Sequence, residues 1–275
     1  VPFTATYAVS SPCSGTTLGI RGETPAAAPA EGRSGHPVFV YLVGTNEAYT
    51  NVEAAAAVTY MARRGYVAAA VEYPASTSFG TCPTLAAKAR CVFDPARPTS
   101  ALAVLCARPG ADCGRGVVVG GFSQGAVLAL LARDSEPRVR AAWGMGAGVT
   151  YFGYELSACL AEGSTRALPA SRIRVTNGEG DVFFGGSLAG AREQSQRLTG
   201  RSCPAADTCL AEDGSGWRLV RHAEVSDGSA DHCYWRARGD CAFDNEGAAD
   251  PAWTGGGAEW ALPASLQWLS RFTDR

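Results

Sequence analysis

The segment Val117–Leu131, VVVGGFSQGAVLALL, constrains the fold more than any other part of the chain. A β-branched run with the apolar character of a buried strand passes through Gly121-Phe122-Ser123-Gln124-Gly125 directly into an alanine- and leucine-rich helix. A strand, elbow and helix in that order push the serine hydroxyl out at the strand's carboxyl end. The flanking glycines are needed because side chains there would collide with the neighbouring strand and helix. Near-continuous apolar character in the strand suits a parallel sheet covered by helices on both faces.

The rest of the chain repeats the alternation. Strands are predicted at His36–Gly44, Tyr66–Tyr73, Gly116–Phe122, Val139–Met145, Arg172–Asn177 and Trp217–Val225. Helices are predicted at Val52–Arg64, Gln124–Arg133, Leu188–Leu198 and Pro263–Phe272, with a further helical stretch inside Leu85–Ala107. Edge strands are expected in Phe3–Val9 and Thr17–Arg21, before a surface loop rich in Pro, Ala and Gly at 24–35. This is an α/β pattern, and 275 residues suit one catalytic domain spanning 1–275. No internal repeat marks a second unit, and the stretch 147–169 is too short for a separate cap domain.

With 46% hydrophobic and 18% charged residues and a formal charge of −2, the chain has material for a core. It lacks the basic stripe that nucleic acid requires. Lys88 is the only lysine among 24 basic residues, which fits a GC-rich coding bias better than a function. No apolar run is long enough to span a membrane. Ten cysteines without metal-ligand spacing indicate disulfides and an oxidising compartment, hence a secreted protein whose signal peptide has been removed. Sequence proximity suggests Cys82–Cys91, Cys106–Cys113, Cys203–Cys209 and Cys233–Cys241, leaving Cys13–Cys159, although other connectivities stay open. Asp240, Asp244, Asn245, Glu246 and Asp250 lie in a Gly-rich stretch where a calcium loop is one reading, but the spacing matches no EF-hand and favours a solvated acidic loop.

The string GFSQGA closely resembles the elbow of cutinases, and the layout resembles the α/β-hydrolase family, nearest to its lidless bacterial esterases and polyester hydrolases. That resemblance implies a nucleophilic Ser123 followed in chain order by an acid and a histidine, each on a loop after a later strand. Gly178-Glu179-Gly180-Asp181 is similar to the turn that carries the family's acid, which points to Asp181, with Glu179 as the nearby rival. Topology selects among the three histidines. His36 stands at the amino end of its strand, away from the carboxyl ends where ligands bind. His222 is expected inside the last strand as a core residue. His232, in the loop after that strand, is the expected base. Its neighbour Asp231 is read as solvated. The oxyanion donors expected are the backbone N–H of Gln124, after the nucleophile, and, by resemblance to the cutinase turn, Thr45 in Gly44-Thr45-Asn46-Glu47.

Tyr49, Tyr151, Phe152, Phe183, Phe184 and Trp235 are candidate substrate contacts, against the alternative that they only pack the core or rim. The expectation is a monomeric serine carboxylic ester hydrolase for small-molecule or polymeric esters, requiring no metal or cofactor. A carbohydrate-decorating esterase removing acetyl or feruloyl groups, a serine peptidase or acyltransferase, and a non-catalytic binding protein on the same scaffold remain alternatives.

Overall fold

The computed structural model describes residues 1–8, 16–29, 31–75, 80–151, 153–238 and 247–273. Its strands are β1 (Pro2–Ala8), β2 (Thr17–Glu23), β3 (Val38–Leu42), β4 (Val67–Val71), β5 (Val117–Phe122), β6 (Val139–Met145), β7 (Thr150–Tyr151), β8 (Tyr154–Glu155), β9 (Ile173–Gly178), β10 (Thr208–Leu210) and β11 (Gly216–Val220). The α-helices are α1 (Val52–Arg63), α2 (Cys82–Phe93), α3 (Ala101–Cys106), α4 (Gln124–Leu131), α5 (Ser157–Leu160), α6 (Leu188–Thr199), α7 (Pro251–Gly255) and α8 (Leu262–Leu269).

Nine strands form one sheet in the order β1-β2-β4-β3-β5-β6-β9-β11-β10. The six from β4 to β11 are parallel, β2 and β10 run against them, and β1 at the edge pairs antiparallel with β2. Every residue of β3, β4 and β5 is buried, so both faces of the sheet centre are covered. Among the helices, α1 packs on β3 and β4 and touches α8, while α4 packs on β5 and β6 and touches α2 and α5. The chain steps from β3 outward to β4 and then returns to the other side of β3 as β5. That reversal opens a crevice at the carboxyl ends of β3 and β5, where ligands bind in sheets of this type.

The predicted strands and helices are present with ends shifted by up to five residues. The expected helical stretch in 85–107 divides into α2 and α3 at Pro95 and Pro98, and Ser100 caps α3 by accepting from Ala103 N at 3.2 Å. Strand β11 stops at Val220 rather than Val225. The Arg221 N–H turns instead to the Glu224 carboxylate at 2.8 Å, closing a short 3-10 turn.

Disulfides join Cys106 to Cys113 and Cys203 to Cys209, as sequence proximity suggested. The proposed Cys82–Cys91 pair does not form, because both residues sit on α2, where nine positions span about 13 Å of helix, beyond disulfide reach. Cys82 instead bonds Cys159 of α5, which also removes the Cys13–Cys159 pairing. Cys91 and Cys233 are disulfide-bonded as well, and no described cysteine is free. The expected Cys233–Cys241 bridge and most of the acidic loop lie outside the described residues. Asp250, the one described residue of that acidic group, is fully buried rather than solvated, accepting from Ser226 N, Ser226 Oγ and Ala252 N.

Candidate active site

Ser123 joins β5 to α4 at φ 52° and ψ −120°. That backbone region costs a non-glycine residue about 1–3 kcal/mol, and here it is over-determined by its surroundings. Ser123 N donates to Met145 O at 2.8 Å, and Ser123 O accepts from Val127 N at 3.2 Å. A Cβ on Gly125 would stand 2.2 Å from Leu42 O, and one on Gly121 would stand 2.5 Å from Gly125 O. The close approach of α4 to β3 and β5 therefore admits only glycine at both places.

Asp181 follows β9 and is fully buried. Its Oδ1 accepts from Phe183 N at 2.9 Å, and its Oδ2 stands 2.6 Å from His232 Nδ1. An ionised carboxylate can only accept, so Nδ1 carries the proton and Nε2 is the basic nitrogen. Nε2 is buried and has no hydrogen-bond partner among the described residues. The imidazole lies 4.8 Å from the Phe122 ring, beside Ser123, and 4.3 Å from the Phe183 ring. It also covers Gly146, where an added Cβ would meet His232 Cε1 at 2.6 Å. Ser123 and His232 thus converge at the carboxyl ends of β5 and β6.

Thr45 and Gln124 also meet there. The Gln124 side chain donates from Nε2 to Thr45 Oγ1 at 3.0 Å and accepts at Oε1 from Lys88 Nζ at 2.9 Å. The backbone N–H groups of both residues make no hydrogen bond to other described residues. Lys88 is buried on α2, and burial pulls its ammonium down to about 8. The Thr45 turn is held by Glu47, whose Oε2 accepts from Gly44 N at 2.8 Å and whose Oε1 pairs with Arg236 at 2.9 Å. Burial pushes the Glu47 carboxyl up, against the lowering influence of Gly44 N and Arg236.

Sequence reasoning missed Lys88, Glu47 and Arg236. The isolated lysine is the one available signal in the sequence, and a compositional bias also explains it there.

The rivals are engaged elsewhere. Glu179 pairs with Arg221 at 2.8 Å and accepts from His222 N. His222 is 51% exposed, not the core residue expected, because β11 ends before it. Its Nδ1 accepts from Ala230 N at 2.9 Å, two residues before His232. His36 is buried at the far end of the sheet with Nδ1 3.1 Å from Gly65 O. Asp231 is half-buried rather than solvated. Burial pushes its carboxyl up to about 6, partly offset by the Cys233 N–H and by His232.

Of the aromatic candidates, Phe183 is half-buried beside His232, and Phe184 is buried with its ring 6.5 Å from the imidazole. The others do not join them as exposed contacts. Tyr49 is half-buried and packs over Gly19 of β2. Tyr151 is buried, donating to Gly146 O at 2.6 Å and accepting from Gly148 N at 3.0 Å. Trp235 is buried between Phe122 and Trp253. Phe152 lies outside the described residues.

No family model matches the chain, and no curated protein resembles it in sequence. Among solved structures it is similar to a cold-adapted esterase from an Arctic intertidal metagenomic library. In the polyethylene-glycol-bound form the identity is 16%, the TM-score 0.56, and 99% of this chain and 93% of that one are covered. The zinc-bound form of a cold-adapted esterase from the same source gives 17%, 0.53, 99% and 93%. A lidless α/β serine hydrolase from Xanthomonas campestris follows at 14% identity and TM-score 0.48, covering 80% of this chain and 82% of that one. The chain spans 49% of a hypothetical protein from Pseudomonas aeruginosa, with 62% of its own length covered, at 20% identity and TM-score 0.38. The fold is the α/β-hydrolase fold.

Proposed function

We propose that the chain is a secreted serine carboxylic ester hydrolase, folded as one catalytic domain, with Ser123 as nucleophile, His232 as general base and Asp181 as its orienting acid. The observation that carries this reading is the buried Asp181–His232 pair, whose unpartnered Nε2 lies beside the strained Ser123 elbow.

In the reaction, Ser123 Oγ attacks the acyl carbon as its proton passes to His232 Nε2. The carbonyl oxygen, now an oxyanion, receives the N–H groups of Gln124 and Thr45. Collapse expels the alcohol, which takes the proton from the imidazolium. Water repeats the cycle against the acyl-enzyme, releasing the acid and restoring Ser123. Asp181 keeps Nδ1–H in place and stabilises the charged ring. Thr45 Oγ1 accepts from the Gln124 amide, so its own hydroxyl proton remains available to the same oxyanion.

Phe183 and Phe184 offer the acyl or alcohol group an apolar wall beside the imidazole. The short 147–169 connection leaves the substrate group open, so polyester and cutin-like chains are included along with small esters. Disulfides that tie α2 to α5 and close two short loops support an oxidising destination.

The test is hydrolysis of p-nitrophenyl esters from acetate to palmitate by the wild type and by Ser123→Ala. The expected result is turnover that falls by about 10⁴–10⁶ in the variant, with the chain-length profile identifying the acyl preference. Equal activity in both proteins rejects Ser123, and no activity in either rejects the esterase reading in favour of a peptidase or a binding protein.

A further inference from the structure

At the amino ends of β5, β6 and β9, opposite the Ser123 end, a cleft of about 570 Å³ is lined by Arg115, Arg133, Arg140 and Arg172 with Ser171 and Phe272. In a chain of net charge −2, four guanidinium groups around one cleft are a marked local departure. None of the four forms an ion pair among the described residues.

Arg115 is 8% exposed, and its Nε and Nη2 are buried without a hydrogen-bond partner, while Nη1 donates to Gly35 O. Asp112 and Asp213 attract Arg115 and Arg172 through space, but neither forms an ion pair with them. Asp112 accepts from Ser34 Oγ and Gly114 N, and Asp213 accepts from Ser215 N and Oγ. Arg133 is fixed by its bond to Val139 O at 2.8 Å, and Arg172 lies 4.5 Å over the Phe272 ring. Both guanidinium groups are therefore held in place without being neutralised.

A buried cation with open donors is costly unless an acceptor of opposite charge supplies the missing bonds. Planar guanidinium forks match tetrahedral oxyanions in shape and charge. We propose that this cleft binds an oxyanion of the phosphate or sulfate class, at a site separate from the proposed ester-cleaving one. The cleft exceeds the size of one such ion, so it admits a diphosphate or the same group borne on a polymer chain.

The experiment is titration calorimetry of the full chain with sodium pyrophosphate at low ionic strength, where surface charges are weakly screened. One saturable site per chain is expected. Arg140→Gln and Arg133→Gln should each weaken it about tenfold, the loss of one charge-assisted contact. Because Arg115 anchors Gly35, the more exposed Arg140 and Arg133 carry the test rather than Arg115→Met. Ser123→Ala should bind pyrophosphate as the wild type does, which separates this outcome from that of the esterase reading.

No saturable binding, the same response to sodium chloride at matched ionic strength, or binding unchanged in both variants would overturn the proposal. Competition then distinguishes the two sources. Dextran sulfate displacing pyrophosphate at a lower sulfate-group concentration than sodium sulfate indicates a polymer-borne group, and equal potency indicates the free ion. Either result requires the site.

Discussion

Asp231 is close enough to His232 to influence it and buried enough to resist ionisation, and its carboxyl is pushed up to about 6. In the unfolded chain it titrates near 3.9. Between about pH 4 and 6 the native state therefore binds more protons than the unfolded one, and stability falls as pH rises through that window. Asp231→Asn should remove this fall, gaining about 1 kcal/mol over wild type at pH 7 once residual solvent contact is discounted, and nothing at pH 4. Urea denaturation at the two pH values measures it, and parallel pH dependence in both proteins would contradict it. Lys88 acts one step further from the reaction, through Gln124 to Thr45. Lys88→Met should lower kcat on p-nitrophenyl butyrate about tenfold with KM little changed, because an oxyanion donor matters most in the transition state. A loss confined to KM would place Lys88 in substrate binding instead.

The elements explain which residues could be read in advance. Ser123 was legible because its elbow is local, a strand, two glycines and a helix contiguous in sequence. The meeting of Asp181 with His232 was legible because parallel topology brings the loops after β9 and β11 to the same end as the Ser123 elbow. The Glu47–Arg236 pair was not, because it joins the turn after β3 to the loop after β11 across 189 positions, and no periodicity encodes that meeting. The burial of Tyr151 and Trp235 was not legible for a related reason. Chain position puts them near the rim, but the direction of each side chain is fixed by tertiary packing that turns it inward. The Glu47–Arg236 pair couples the Thr45 turn to the segment carrying His232. Arg236→Met should strand a buried carboxylate and cost about 3–5 kcal/mol, with the double variant Glu47→Gln/Arg236→Met recovering much of it. Guanidinium chloride denaturation of Glu47→Gln, Arg236→Met and the double variant would show whether the losses instead add.

For the molecule as a whole, the sheet order was less legible than its strands, because edge pairing depends on contacts such as β2 with β4 that lie far apart in sequence. The disulfides show the same limit: proximity paired Cys106 with Cys113 and Cys203 with Cys209 correctly, but it paired Cys82 with Cys91, where the fold joins Cys82 to the distant Cys159. Cys82–Cys159 closes a 77-residue separation and anchors the amino end of α2, the helix bearing Lys88. Replacing both cysteines with alanine should cost about 2–5 kcal/mol, read as a lower melting temperature under non-reducing conditions. An unchanged melting temperature would mean that packing alone holds α2. Finally, all six parallel strands point the same way, which sets the serine mouth and the arginine cleft roughly 20 Å apart, about one strand length, on opposite poles. A molecule adsorbed by its arginine pole onto a negatively charged bead would stand with its mouth turned outward, so an immobilised layer would work as an oriented lawn rather than a random coat.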